Sequence, residues 1–313
     1  MAITNTGLPP YFQLLPKESV ARVAKLELLA RTRMQGSITG RHASPNKGSS
    51  TEFAEHRAYM PGDDVRRLDW RAYARRDRYL IREFVDETNL HATIIVDCSG
   101  SMAYAGDKAL DIAGSRGPAS KFQYARCLAA VLANFLHGQQ DAVGLALVDA
   151  GLRQFLRPSM RKSHLHRIMS ELWETSPAED GPLPDALREV GSRLTRKGLV
   201  VVLSDLFDDP EATLEQLHQL RHRGNEVLLL HVLADEELTF PFKSATQFRD
   251  LEDNDHSIDT DPGAIRADYL KRFGDFLESI GSGCGRLGLH YLPLNTSQPF
   301  EEPLAQWLAR RGR

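Results

Sequence analysis

Asp97, Ser99 and Ser101 alternate along Asp97-Cys98-Ser99-Gly100-Ser101-Met102, directly after the apolar run His91 to Val96. A carboxylate and two hydroxyls at every second position can turn toward one point on a loop beyond a buried strand, where the backbone is released from the hydrogen-bonded ladder. This is a donor set for a hard cation: Mg²⁺ takes six oxygens at about 2.0–2.1 Å and keeps some of its waters. A dication with so little protein charge around it stays electrophilic and can accept an acidic group from another molecule. The same residues also suit a plain polar loop in which Asp97 and the serines cap the next turn. A second acid favours the site. Asp205 ends Leu199 to Asp205 (LVVVLSD) as Asp97 ends HATIIVD. If the two strands are neighbours, both carboxylates face one crevice.

The elements that must hold these residues follow from periodicity. Beyond residue 90 the chain alternates strand and helix: strands at His91 to Asp97, Ala142 to Asp149, Leu199 to Asp205, Glu226 to Leu233 and Leu287 to Leu294. Helices are predicted at Lys121 to His137, Lys162 to Trp173, Leu183 to Leu194, Pro210 to Arg223, Gly263 to Ile280 and Pro299 to Arg310, with a small hairpin running to Pro158. Strands that are apolar on both faces, separated by helices, mean a doubly wound, mainly parallel α/β sheet of Rossmann type with helices on both faces. Upstream, Lys17 to Met34 has helical spacing, and Thr51 to Tyr59 and Tyr79 to Val85 read as short strands around an Arg-rich segment. The chain is therefore divided into an extension, residues 1–89, packed on a core, residues 90–313, that carries an insertion near 235–262. Ala105 to Ser120, small, Gly-rich and polar, is expected to rim the site.

Composition bounds the partners. With 313 residues, 42% hydrophobic and 26% charged, the chain can bury a full core. A net charge of −3 and a pI near 6.4 argue against a nucleic-acid or membrane-surface role for the whole protein. Cys98, Cys127 and Cys284 are far apart, so neither a disulfide framework nor a zinc knuckle is indicated and a reducing cytoplasm is expected. No stretch is apolar for long enough to span a bilayer, so no direct membrane insertion is expected. There is no GxGxxG after a strand and no P-loop, and the serines lack a nucleophile elbow. Asp63, Asp64, Asp69 and Asp77 interleave with Arg57, Arg66, Arg67, Arg71, Arg75, Arg76, Arg78 and Arg82, which favours an internal salt-bridge network over a nucleic-acid stripe.

Asp97-Cys-Ser-Gly-Ser-Met102 resembles the DxSxS signature of von Willebrand factor A-type domains. The resemblance implies a sheet with Mg²⁺ (or Mn²⁺ or Ca²⁺) at its top, held by Asp97, Ser99 and Ser101 with Asp205 as the distal acid. It also implies a Thr ligand, but the matching stretch is Asp180-Gly-Pro-Leu-Pro-Asp-Ala-Leu187, and Gly181 stands in its place, implying weaker binding. Arg57-Ala-Tyr-Met-Pro-Gly-Asp-Asp-Val-Arg-Arg-Leu-Asp-Trp70, with Ala74-Arg75, Arg82-Glu83, Phe248-Arg-Asp-Leu-Glu252 and Tyr269, is similar to bacterial domain-of-unknown-function family 58. Members of that family are associated with MoxR-type AAA+ ATPases, which implies an adaptor or chaperone-linked role. The expected function is a non-enzymatic interaction module with a metal adhesion-type site. A metal-dependent phosphohydrolase and a structural subunit with a vestigial site remain open.

Overall fold

The computed structural model describes residues 9–23, 25, 53–60, 68–76, 79–84, 90–112, 117–178, 181–243, 246–249, 257–304 and 307. Contacts divide the chain into two compact units, residues 31–89 and residues 1–30 with 90–313. The division thus runs through the stretch 1–89 that the sequence reading treated as a single extension.

In the smaller unit, β1 (Phe53–Ala58) pairs antiparallel with β2 (Leu80–Phe84), and α1 (Trp70–Arg76) lies between them in sequence. Asp69 caps α1: its Oδ1 accepts from the Ala72 N–H at 3.0 Å. Tyr73, on α1, stacks on Tyr79 with ring centroids 4.6 Å apart. Asp63, Asp64, Arg66, Arg67, Asp77 and Arg78 of the expected salt-bridge network lie outside the described residues. Asp69→Ala is expected to weaken this unit by about 1 kcal/mol, the usual worth of a cap. A lower melting temperature with unchanged divalent titration checks it.

The larger unit is built on a six-stranded sheet in the order β10-β7-β6-β3-β4-β5. The strands are β3 (His91–Asp97), β4 (Ala142–Val148), β5 (Leu152–Ser159), β6 (Leu199–Ser204), β7 (Glu226–Leu233) and β10 (His290–Asn295). All neighbours are parallel except β5, which runs antiparallel to β4. This is the doubly wound, mainly parallel sheet that the alternating apolar runs demand. Ala92, Ile94 and Val96 point into one apolar cluster and Ile95 into the other, so both faces must be covered. On the first face lie α2 (Lys121–Gly138) and α3 (Lys162–Glu174), together with Leu14, Val23 and Trp307. On the second lie α4 (Leu183–Arg193), α5 (Pro210–His222) and, after the short α6 (Asp235–Thr239), α7 (Pro262–Leu287). Each fully buried Leu, Ile or Val side chain contributes about 1.5–3 kcal/mol through loss of apolar surface from water.

Several details position the site. The chain leaves β3 toward β4 and β5, then returns to the other side of β3 to lay down β6, β7 and β10. The order reverses between β3 and β6, and a crevice opens at their carboxyl ends. A capping box formed by Ser120 and Gln123 fixes the start of α2 and puts Lys121 at its first position. Both edge strands contain a proline, Pro158 in β5 and Pro293 in β10. Pro158 fits because β4 carries Gly144 beneath it, where a Cβ would lie 2.8 Å from the proline ring, and the register slips at that point.

The insertion near 235–262 contains α6 and a hairpin of β8 (Thr246–Arg249) and β9 (Ser257–Thr260). Cys98, Cys127 and Cys284 are buried and free. Among the described residues no helix is long and apolar enough to cross a membrane.

Candidate metal centre

Asp97 closes β3, and the loop beyond it is anchored at alternate residues. Cys98 and Met102 are fully buried, and the Cys98 N–H donates to Val148 O at 2.7 Å. The Ser99 N–H folds back onto Asp97 Oδ1 at 2.9 Å, and a 3-10 turn over Gly100–Ala103 follows. With the even positions held inward, Asp97, Ser99 and Ser101 line a cleft of about 270 Å³, and the two serine hydroxyls stand 3.2 Å apart.

Asp205 reaches the same cleft from β6. Ser204, just before it, donates to Asp97 Oδ2 at 2.6 Å and accepts from the Leu206 N–H at 3.0 Å, which ties the two strand ends together. Leu206 has φ +53°, a left-handed conformation that a branched side chain adopts only under constraint. The turn leaves Phe207 64% exposed at the lip. Asp205 Oδ2 accepts from Lys121 Nζ at 2.7 Å, and the same ammonium donates to Glu237 Oε1 at 2.8 Å. The Asp205 carbonyl accepts from His231 Nε2 at 2.9 Å, and the hydroxyl of Tyr291 faces the other ring nitrogen at 2.9 Å. Burial pushes His231 down to about 4, so it serves this contact as a neutral ring.

The electrostatics are those of two carboxylates in one crevice. Burial, then the charge of Asp205, pushes Asp97 up to about 6, although hydrogen bonds from Ser204 and Ser99 oppose the rise. Burial pulls Lys121 down, but Asp205 and Glu237 together outweigh it and hold the ammonium above its ordinary value.

The donor set fits a hard cation. Adjacent ligands of an octahedral ion bound at about 2.0–2.1 Å lie about 2.9 Å apart. The two hydroxyls at 3.2 Å are close to that spacing, and a cation would relieve the repulsion between Asp97 and Asp205. Among the described residues no group of three or more His, Cys, Asp or Glu side chains is placed to hold a metal. A bound ion would therefore rely on hydroxyls and water beside the acids. His218 and His222 stack at 4.2 Å between ring centroids but gain no third ligand among the described residues.

Sequence reasoning missed Lys121 and Glu237, which are linked to Asp205 behind the cleft, and the polar residues Ser204, Asp149, Asp208 and Thr213, which line it. Ser204 was visible as the polar end of an apolar strand. The Lys121 contacts span 84 and 116 residues and left no local signal. The segment Ala105 to Ser120 contributes no described residue to the lining of the cleft. It is closed by an Ala105–Ser120 bridge and held by the Leu110 N–H on Thr296 O at 3.0 Å, beyond the end of β10. Gly181 lines the cleft, but a Cβ there would lie 2.4 Å from Ala150 Cα. Gly181→Thr is accordingly expected to destabilise the fold by about 1–3 kcal/mol, as overpacking does, without tightening divalent binding. Melting temperature and Mn²⁺ titration check both parts.

Among solved structures the chain is similar to BatB from Bacteroides thetaiotaomicron, with 17% identity, 71% of this chain and 98% of that chain covered, and a TM-score of 0.46. It is also similar to the SpRpn10 VWA domain, with 12% identity, 69% and 95% covered, and a TM-score of 0.39. Two curated relatives, Uncharacterized protein Mb1516 of Mycobacterium bovis and Uncharacterized protein Rv1480 of Mycobacterium tuberculosis, are each 24% identical over 299 residues, covering 94% of this chain and 90% of theirs. Residues 55–275, from β1 into α7 and including both loops of the cleft, match the family described as Protein of unknown function DUF58, and the chain belongs to that family.

Proposed function

We propose that the protein is a non-enzymatic interaction module, an adaptor whose contact point is a divalent cation held by Asp97, Ser99, Ser101 and Asp205. The observation that carries this reading is the convergence of two carboxylates and two closely spaced hydroxyls in one cleft at the switch point of the sheet. Mg²⁺, or Mn²⁺ or Ca²⁺ in its place, would supply an open position for an acidic side chain of a partner. Ser204 and Ser99 orient the Asp97 carboxylate, Lys121 orients that of Asp205, and Phe207 offers an apolar contact at the lip. Family resemblance favours a MoxR-type AAA+ ATPase as partner and complex assembly as the setting. The three buried free thiols suit the cytoplasm. Against a phosphohydrolase, an aspartyl nucleophile at position 97 would want an acid two residues on, and Ser99 stands there.

The experiment is binding of the full chain to a MoxR-type ATPase of the same host with Mg²⁺ and with EDTA. Binding is expected only with Mg²⁺ and is expected to weaken in Ser99→Ala. Metal-independent binding that ignores this substitution sinks the reading, and turnover of a phosphate ester lost with Asp97 would replace it by the enzyme. The metal requires ionised Asp97, so divalent affinity is expected to fall about tenfold per pH unit below about 6 and to level off above it. Calorimetric Mn²⁺ titration across that range reads the slope.

A further inference from the structure

A second cavity, of about 300 Å³, opens at the other end of the sheet, where β3 and β6 begin. It is lined by His91, Arg157, Arg193 and Arg196, with Pro158 and Leu194 as apolar walls, and among the described residues no acidic side chain lines it. His91 and Asp97 are the two ends of β3, about 20 Å apart at the rise of an extended strand, so this cavity is separate from the metal cleft.

Its charges are unequal. Arg193 sits in the last turn of α4, where it complements the helix dipole and pairs with Glu189 at 2.6 Å. Among the described residues neither Arg157 nor Arg196 has a carboxylate partner. Arg196 Nη1 instead lies 3.2 Å from His91 Nε2. Burial and the Arg196 charge keep His91 below its ordinary value, so the ring is neutral and accepts that hydrogen bond. The contact engages one nitrogen of the guanidinium of Arg196, a residue that lines the cavity. Two uncompensated, planar donor groups above apolar walls match the oxygens of a phosphoryl group, which guanidinium forks bind in pairs. A carboxylate can bridge two guanidinium groups but brings one charge and two oxygens, whereas a phosphoryl dianion brings two charges and three oxygens and neutralises both arginines. The volume is at the lower end of small-molecule sites, enough for a phosphate with a modest organic part.

We propose that this cavity binds a small phosphorylated molecule, with Arg157 and Arg196 on the phosphoryl oxygens and the organic part against Pro158 and Leu194. The test is calorimetric titration of the EDTA-treated full chain with inorganic pyrophosphate, with acetate and inorganic phosphate as competitors. One saturable site is expected, displaced by phosphate and not by acetate. Arg157→Gln and Arg196→Gln should each weaken it about tenfold or more, the worth of a charge-assisted hydrogen bond, at unchanged melting temperature. Asp97→Asn should leave it unaltered, which separates this site from the metal cleft. Absence of saturable binding, equal competition by acetate, or binding indifferent to both arginine substitutions overturns the proposal.

Discussion

Lys121→Met is expected to lower the melting temperature of the metal-free protein by about 6–10 °C, the largest effect of any single substitution near the site. Lys121 and Asp205 are each 3% exposed, and Glu237 is 24% exposed. Removing one partner from a buried ion pair leaves an uncompensated charge, at a cost of about 3–5 kcal/mol, and each kcal/mol moves a domain of this size by about 2 °C. Met fills much of the same volume, so lost packing is a small part of the change. The triple variant Lys121→Met, Asp205→Asn, Glu237→Gln removes the charges together and should melt closer to wild type. Saturating Mg²⁺ should restore part of the loss in the single variant, since a dication beside Asp205 takes over the missing positive charge. Thermal melts with and without Mg²⁺ read all three. An unchanged melting temperature in the single variant would mean that the pair is not buried in solution.

Asp97→Asn is expected to act in the opposite direction on stability while abolishing divalent binding. Its carboxyl is pushed up to about 6 in the fold, so above that pH the folded state holds a charge it disfavours. The penalty is complete above about pH 6 and disappears as pH falls toward about 4, where folded and unfolded chains both take up the proton. A rise of about two pH units corresponds to about 3 kcal/mol. The weaker hydrogen bonds of a neutral amide to Ser204 and Ser99 reduce the net gain to about 1–2 kcal/mol. The variant should therefore melt about 2–4 °C above wild type near pH 7.5 and level with it near pH 4. Equal Mn²⁺ binding by variant and wild type would remove Asp97 from the site. A variant that melts lower at pH 7.5 would show that its hydrogen bonds outweigh its charge.

Most of the sheet was legible because its strands are buried on both faces and announce themselves as unbroken apolar runs. Glu226–Leu233 is observed with the limits expected, and β3, β4 and β6 differ by at most one residue. Asp97 and Asp205 could be paired, on the condition that their strands are neighbours, because each ends such a run, and the strand order meets that condition. Elsewhere tertiary packing overrode local signals. The helix expected over Gly263 to Ile280 continues as α7 to Leu287, through Gly281, Gly283 and Gly285. Gly283 lies where a Cβ would meet Leu214 at 2.8 Å, so glycine serves close helix packing there instead of a stop. α1 was hidden by the density of arginine, and α6 by a stretch read only as an insertion. The charge balance of the site was the least legible part, because Lys121 and Glu237 meet Asp205 only after the chain has folded.

The two prolines at the margins of the sheet bear on how any partner is recognised. A strand donated by another chain needs an uninterrupted row of outward amides to zip against, and a proline leaves a gap in that row. Pro158 interrupts one margin and Pro293 the other. Capture by β-augmentation is disfavoured on both sides, as is sideways stacking of copies into a continuous ribbon. A partner that docks on this sheet would then have to use the loops at the strand tips, where side-chain chemistry discriminates and backbone pairing does not.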